Sequence, residues 1–535
     1  MAIPLSFESL SFELSPRRSA FLSPRVSLRC AEMPTPTPQS SPRESVWQVV
    51  FVAMFGLVLG LSLLKFGNPV VLDAAVEAPQ NRLEIIFQSW PLAWGIVLLA
   101  GVLVLGLRAA KFQTAAPTWM IALPAVWFGW QLLCAPQSIR PDLTQTTLLH
   151  FGACVGCFYL GLFALAKLER LRLFWLFIGG CLAWVLVQGW QQHFGGLEET
   201  RKYVLEQMAG KPMSPEFLKK IQSDRIFSTL VYPNALAQVV ILLLPVVMGA
   251  AWLGGRDLPP AIRLAVPVGF GIGGAGCLYW TGSKGGWLVA VVLGLLALAR
   301  VPAPRRLKTG VAIGLAVVAL VGFGLRFQKY FEQGATSVGA RFEYWRAAGK
   351  TFLANPVLGS GPGSFTTAYQ RIKPPDAEMA RLTHNDYLQQ ASDSGVIGVL
   401  TFSAFVLGSV FLLYRNPLIK KSDLAFLAWL GVAGWSLQSF IEFGLYVPAI
   451  AWPAFTLLGW LWGTVPGKSA GAEAKGAAGN VPQTSQSAVS PISNRQGVAR
   501  PENAGNADGP QAGSPATQQT GKSALPHPLL TGTMQ

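Results

Sequence analysis

The sequence predicts an all-α fold: a polytopic membrane protein with about twelve transmembrane helices and one large loop carrying short amphipathic helices. Three observations predict it. Charged residues are 13% of the 535-residue chain, against about 25% in an ordinary soluble domain. Hydrophobic residues reach 51%, with 18 tryptophans. Apolar runs of spanning length, about 17–25 residues, recur through most of the chain.

The elements follow in order. Residues 1–45 are rich in Ser, Pro and Arg and contain no apolar stretch of a signal peptide. They read as a disordered cytoplasmic arm, unless translation starts at Met33. Apolar segments then lie near 47–66, 90–107, 118–134, 148–166, 173–190, 235–253, 263–280, 284–300 and 308–326, which makes 46–326 a block of nine helices. The seventh segment, with Gly269, Gly271, Gly273, Gly274 and Gly276, reads as a close-packing helix. A long polar loop occupies 327–394, and three more apolar segments, near 395–414, 424–440 and 447–464, fill 395–464. From 465 to 535 the chain turns to Gly, Ala, Ser, Pro, Gln and Asn. That composition cannot bury enough apolar surface to fold, so it reads as a disordered cytoplasmic tail.

Charge sets the expected orientation. The formal charge of +16 is not gathered in one stripe but falls in short clusters between apolar segments. That pattern follows the positive-inside rule and excludes a nucleic-acid partner. With the N-terminus in the cytoplasm, Arg43, Arg108, Lys111, Lys167, Arg170, Arg172, Arg256, Arg263, Arg300, Arg305, Arg306, Lys308, Arg415, Lys420, Lys421 and Lys468 share that side. Arg140, beside Asp142, is the exception. The outer side receives the long connections, near 67–89, 191–227 and 327–394, whose length marks them as functional. The six cysteines show no zinc-site spacing: Cys154, Cys157, Cys181 and Cys277 lie inside apolar segments, Cys134 near a segment end and Cys30 in the polar start.

Arg225, Asn234, Ser283, Lys284, Arg341, His384 and Glu442 all fall at the outer boundary. A transporter places its ionisable residues near the bilayer midplane instead. Pro233-Asn234 reads as a helix start with Asn234 as the N-cap, Ser283 as the cap before Lys284, and Ser392-Asp393-Ser394-Gly395 as the start of the tenth span. Three helix N-termini beside Arg225 and Lys284 form a candidate anion site. In the large loop, Phe342, Trp345 and Phe352 recur at helical spacing, which predicts an amphipathic helix on the membrane, ended by Asn355-Pro356. The run Gly359-Ser360-Gly361-Pro362-Gly363 reads as a turn, with phosphate binding by its N–H groups as the alternative.

The stretch RLTHNDYLQQASDSGVIGVL, Arg381 to Leu400, passes from a polar run straight into an apolar one. Thr383 with Asp386 three residues on reads as a capping box, which puts His384 in a helix's first turn. The positive helix end there keeps the imidazole neutral and able to accept a proton, with Tyr387 and Leu388 on the same face. His384 is therefore the candidate general base. No second histidine stands at metal-ligand spacing, so no metal or cofactor is expected. His193 shares the outer side without a comparable pattern.

These residues carry a resemblance. RIFSTLVYPNALA, TGSKGGWLVAVV, ARFEYWRAAGKTFLANPVLGSGPGSF and THNDYLQQASDSGVIGVL together resemble the O-antigen ligase family, within the superfamily that includes O-antigen polymerases and protein O-oligosaccharyltransferases. With the hydropathy profile the likeness covers roughly 45–464. It implies a metal-independent glycosyltransferase at the periplasmic face of a bacterial inner membrane. The donor would be an undecaprenyl-pyrophosphate-linked glycan, and the acceptor a sugar hydroxyl of lipid A core or of another glycan. The family's histidine matches His384, and its arginines match Arg225 and Arg341. Asn234, Ser283, Lys284, Asn385, Asp386, Tyr387 and Glu442 make up the expected substrate-binding set. Two departures stand out: Lys284 where an arginine is common, and Asp393 where a glutamate is usual. A polymerase or a protein O-oligosaccharyltransferase uses the same chemistry, and a polysaccharide or lipid exporter is the alternative from another class.

Overall fold

The structure is a computed structural model that describes residues 45–207, 221–332, 336–375 and 377–466. The arms expected at 1–45 and 465–535, with Cys30 in the first, lie outside the described residues apart from Ser45, Val465 and Pro466.

Among the described residues every regular element is helical. In chain order they are α1 (Val46–Lys65), α2 (Arg82–Phe87), α3 (Leu92–Ala109), α4 (Thr118–Cys134), α5 (Pro141–Tyr159) and α6 (Arg172–Gln191). Then come α7 (Leu197–Gln207), α8 (Pro233–Gly254), α9 (Pro260–Trp280), α10 (Lys284–Arg300), α11 (Arg305–Glu332) and α12 (Thr336–Ala354). The last are α13 (Phe365–Ile372), α14 (Asp386–Arg415), α15 (Pro417–Lys421), α16 (Asp423–Gln438) and α17 (Pro448–Gly463). Each of the twelve expected segments is a helix. Among the described residues, nine helices are long and apolar enough to cross a membrane; α10, α16 and α17 are shorter, at 17, 16 and 16 residues. The chain is an integral membrane protein.

Burial sorts these helices into core and rim. α17 is apolar on every side, and all of its residues are buried, as a helix without a polar face requires. It packs against α5, α1, α16 and α8. α11 is apolar as well, yet no residue of its span is buried, and it packs against α10 at the rim. Its surface is left for lipid.

Several local expectations need correction. α5 begins at Pro141, not near 148. Its first turns are polar because they pack on the large loop: Ile139 N donates to Ser360 O at 3.1 Å and Thr144 Oγ1 to Pro362 O at 2.7 Å. Hydropathy cannot see such a start. α9 is not a closely packed helix throughout: little of it is buried, and Gly269 meets nothing. Only its outer half admits neighbours closely, Leu244 at Gly274 and Trp190 at Gly276. α12 is amphipathic, but it buries Tyr344, Ala347 and Ala348 against Phe365, Tyr369 and Ala380, and leaves Phe342 exposed.

The tenth span starts at the break expected at Ser392–Gly395, but a polar helical segment from Asp386 leads into it. α14 starts at Asp386 and is broken at Gly395, with φ +68° and ψ −163°. A Cβ there would stand 2.0 Å from Val357 O, so only glycine fits. The turn 359–363 closes over this break. Ser360 N donates to Ser392 O at 3.0 Å, Gly361 N to Asp393 O at 2.9 Å and Gly363 N to Asp393 Oδ2 at 2.8 Å. The glycine run is thus a structural turn whose N–H groups are spent on Asp393 and Ser392, which removes the phosphate alternative.

Chain alternation divides the connections between two ends. At one end Lys111 N donates to Phe163 O, Lys167 Nζ to Gly463 O, and Arg172 and Arg300 pair with Asp257 and Asp423. At the other end lie the starts of α8, α10 and α14, the ends of α9 and α16, and the helices of the large loop. The basic clusters and the candidate site residues therefore occupy opposite ends of the bundle.

Candidate active site

Four separate pieces of chain meet at one carboxylate. Glu442, between α16 and α17, is only 4% exposed. Its Oε1 accepts from Asn234 Nδ2 at 2.7 Å and from Arg341 Nη2 at 2.6 Å; its Oε2 lies 3.2 Å from His384 Nδ1. Asn234 Oδ1 in turn accepts from Arg225 Nη2 at 2.6 Å. Burial pushes the Glu442 carboxyl up, but the His384 hydrogen bond and the charges of His384, Arg341 and Arg225 outweigh it and hold it below the ordinary carboxylate range. Glu442 is a hub for the protein's own cations.

Arg225 is delivered by the strained segment before α8, where Ser228 and Val231 take positive φ of 55° and 64°. Gln192 Oε1 pins that segment by accepting from Phe227 N and Ser228 N at 3.0 and 2.7 Å. Arg225 Nε donates to Thr281 O at 2.6 Å, which joins the α9–α10 turn to the site. Burial lowers the proton affinity of its guanidinium and Glu442 restores part of it; the group stays charged, as arginine does in proteins. Asn234 is not the helix cap expected. α8 starts at Pro233 with Tyr232 at the cap position and no side-chain cap bond, which frees the Asn234 amide to bridge Arg225 and Glu442.

Ser283 does cap α10, its hydroxyl accepting from Gly286 N at 3.2 Å. Lys284 follows at once, within electrostatic reach of Arg225, Arg341 and Arg326. Arg326, near the end of α11, lies over the Tyr279 ring at 5.4 Å. Nothing in its sequence context singles it out, because an arginine closing an apolar span reads as an interfacial anchor. Arg225 and Arg341 act on the Glu442 carboxylate, and Lys284 and Arg326 extend the positive cluster beyond it, at the same end as the N-termini of α8, α10 and α14. The arrangement suits an anion with more than one negative charge.

His384 is not in the first turn of a helix. Asn385 is the N-cap of α14, its side chain accepting from Leu388 N at 3.0 Å. Thr383 does not close a capping box; it binds Asn385 through its hydroxyl, to the carbonyl at 2.7 Å and from the N–H at 3.2 Å. His384 stands just before the cap with φ +53°, a left-handed conformation uncommon for any residue but glycine. That bend turns the ring out of the helix and onto Glu442. Its ring neighbours are Tyr344, stacked at 5.9 Å, and Phe443, edge-on at 4.8 Å, rather than the Tyr387 and Leu388 expected.

The residues after His384 hold it in place from below. Asp386 N donates to Ser439 O at 2.8 Å, and its Oδ2 accepts from Leu445 N at 3.0 Å. Tyr387 is buried, with its hydroxyl on Ser436 O at 3.1 Å and its ring against Phe440. Asn385, Asp386 and Tyr387 are therefore buried and hydrogen-bonded to backbone partners. They tie the start of α14 to the connection that carries Glu442. Asp393, deeper in α14, accepts from Tyr446 Oη at 2.9 Å and from Gln389 at 3.0 Å. His193, without a pattern in the sequence, stacks on Trp280 at 4.0 Å, apart from the carboxylate hub.

The chemistry follows from the imidazole's two nitrogens. Glu442 as acceptor assigns the proton to Nδ1 and leaves Nε2 with its lone pair. Nε2 has no hydrogen-bond partner among the described residues, and the side chain is 28% exposed. A partly open basic nitrogen, oriented from behind by a carboxylate and set beside several cations, can deprotonate a hydroxyl next to an anionic leaving group.

Residues 269–403 match the family model Wzy_C, O-Antigen ligase. The matched region runs from α9 to α14, so it contains Lys284, Arg326, Arg341 and His384, while Arg225, Asn234 and Glu442 lie beyond its ends. No curated protein matches the chain. The family match, with the apolar helices, supports an O-antigen ligase- or polymerase-type membrane glycosyltransferase.

Proposed function

We propose that the protein transfers a glycan from undecaprenyl pyrophosphate to a sugar hydroxyl of lipid A core, at the periplasmic face of a bacterial inner membrane. One observation carries the reading: within a ligase-type match, His384 presents an open Nε2 and shares Glu442 with Arg341 and, through Asn234, with Arg225, with Lys284 in electrostatic reach of both arginines. A sugar hydroxyl is a poor nucleophile, and a base of near-neutral pKa assists it. His384 Nε2 takes the hydroxyl proton as the acceptor oxygen bonds to the anomeric carbon. The bond from that carbon to the phosphate oxygen breaks, and its electron pair leaves on the lipid pyrophosphate. The arginines and Lys284 meet the growing negative charge there with fixed donors, which need no reorganisation at the moment of reaction. The Glu442 carboxylate stabilises the imidazolium formed at His384, as the buried aspartate does in a Ser-His-Asp triad. The polyprenyl tail stays in the bilayer beside the helices, which accounts for a site built at the end of a membrane bundle.

A labelled lipid-pyrophosphate glycan in proteoliposomes, with lipid A core as acceptor, tests this reading. Label should move into a new glycosidic bond on lipid A core. Label carried across the membrane unchanged would identify an exporter. Transfer only onto a second carrier-linked glycan, or onto protein, would assign the polymerase or protein-glycosylating activity that shares this donor chemistry.

A further inference from the structure

We propose that Glu442 is a stand-in anion: it occupies part of the arginine edge that the donor's pyrophosphate takes over, and its release from Arg341 then strengthens its hold on His384. The base would thereby gain basicity only when the donor is in place, an inference that rests on the donor chemistry proposed above.

The geometry of Arg341 is the starting point. Nη2 and Nε lie on the same edge of a guanidinium, and a well-matched oxyanion engages both. Here Nη2 donates to Glu442 Oε1 at 2.6 Å, while Nε is buried and has no acceptor among the described residues. Glu442 cannot complete the fork. Its Oε1 is shared with Asn234 at 2.7 Å and its Oε2 is turned toward His384. A buried donor left without a partner is costly, and a phosphoryl group, with more oxygens to offer, satisfies Nε and Nη2 together.

The bond to His384 is the loose one of the three. At 3.2 Å it is longer than the 2.6 and 2.7 Å bonds to Arg341 and Asn234, and longer than the roughly 2.7–2.9 Å usual for a charge-assisted N–H···O contact. Arg341 competes for the same carboxylate and also offsets its charge as felt at the imidazole. The titratable and charged groups around that ring are Glu442 from the α16–α17 connection, Arg341 and Tyr344 from α12, and Arg225 from the segment before α8. Lys284 and Arg326 act on one another in the same cluster, and Arg381 acts on Tyr232. Glu442 is the acidic group bonded to the ring; Asp386 faces Glu442 from the start of α14, and Glu343 and Glu378 act on Tyr344. An anion that occupies Arg341 therefore raises the proton affinity of His384 through its own charge and through the carboxylate it releases. In the empty site the same carboxylate keeps Arg341 from standing as a bare buried cation.

The experiment reads the titration midpoint of His384 by NMR of histidine-labelled full-length protein in nanodiscs, its signal assigned by loss in His384→Gln. Inorganic pyrophosphate should raise the wild-type midpoint by about one pH unit or more, and Arg341→Ala should do the same without ligand. In Glu442→Gln, both rises should shrink to less than about half, the coupling expected of a shared partner. Arg341→Lys, which keeps the charge, checks the fold and should leave the ligand-free midpoint near the wild-type value. A midpoint that ignores pyrophosphate, or rises of equal size with and without the Glu442 carboxylate, would overturn the proposal. No glycosyl transfer is measured, so such a result beside an active enzyme would remove this device and leave the transfer reading intact, while inactivity beside a Glu442-dependent rise would do the reverse.

Discussion

Glu442 decides how the other residues of the site are held. Arg225 reaches it through Asn234, Arg341 touches it directly, and His384 takes its ring orientation from it. Its position also predicts a pH dependence. The folded carboxyl titrates below the ordinary value, because the hydrogen bond and cations around it outweigh its burial. A depressed carboxyl stabilises the fold fully at pH above the unfolded value of about 4.3, and that contribution is lost as pH falls through the lower folded value. Glu442→Gln should therefore melt below wild type in detergent at pH 7, with the gap narrowing as the solution is taken below about pH 4. A gap that stays constant from neutral to acid pH would show that the carboxylate charge is not what the site uses. The sequence made His384, Arg225 and Arg341 legible, since each stands at an outer boundary in a recognisable motif. It placed Glu442 on the right side without its role, because a hub is defined by residues more than a hundred positions away: Asn234 and Arg341 are 208 and 101 residues distant. Asn385, Asp386 and Tyr387 were legible as a motif, but their burial was not, since partners such as Ser439 and Leu445 lie on another element.

At the scale of elements, the large loop and α14 form one device that presents His384. The segment from Asp386 to the Gly395 break is fastened to the 359–363 turn on one side and to the α16–α17 connection on the other. Sequence patterning found most of these elements, because apolar segments and turn glycines carry strong local signals. It missed where they begin. The polar first turns of α5 pair with the large loop and those of α14 with the α16–α17 connection, so hydropathy counted them as loop. The capping expectations failed at Asn234 and Thr383 for a related reason: a side chain that fits a cap was recruited by a distant partner, or its neighbour took the cap. Gly395→Ala tests the device. A side chain there meets Val357 O at 2.0 Å and a backbone conformation reserved for glycine. Backbone strain alone should cost about 1–3 kcal/mol, seen as a lower detergent melting temperature and faster proteolysis between Val357 and Gly363. Wild-type values for both would mean that the break is not fixed by its glycine.

For the molecule as a whole, the two ends of the bundle divide the work. One end collects the basic connections that the positive-inside rule assigns to the cytoplasm, and the other collects the site. Which end faces which compartment is a prediction of charge, and reporter fusions check it. Fusions ending near Leu205 and Gln370 should report the outer compartment, and those near Arg305 and Leu418 the cytoplasm. Arg305 and Gln370 on the same side would contradict the arrangement of the helices themselves. The bundle also shows what composition conveys well. The low charge, the aromatic content and the spacing of apolar segments were enough for an all-α membrane fold, whereas the sorting of α17 to the core and α11 to the rim was invisible, both carrying apolar stretches without a polar face.

The central claim is that His384 removes the proton of the acceptor hydroxyl. The rate of glycan transfer by His384→Ala, measured in proteoliposomes against wild type at matched protein levels, tests it most directly. The account predicts a fall of about 10²–10⁴-fold, the contribution of a positioned general base, with the variant still inserted and folded. Transfer at close to the wild-type rate would contradict it.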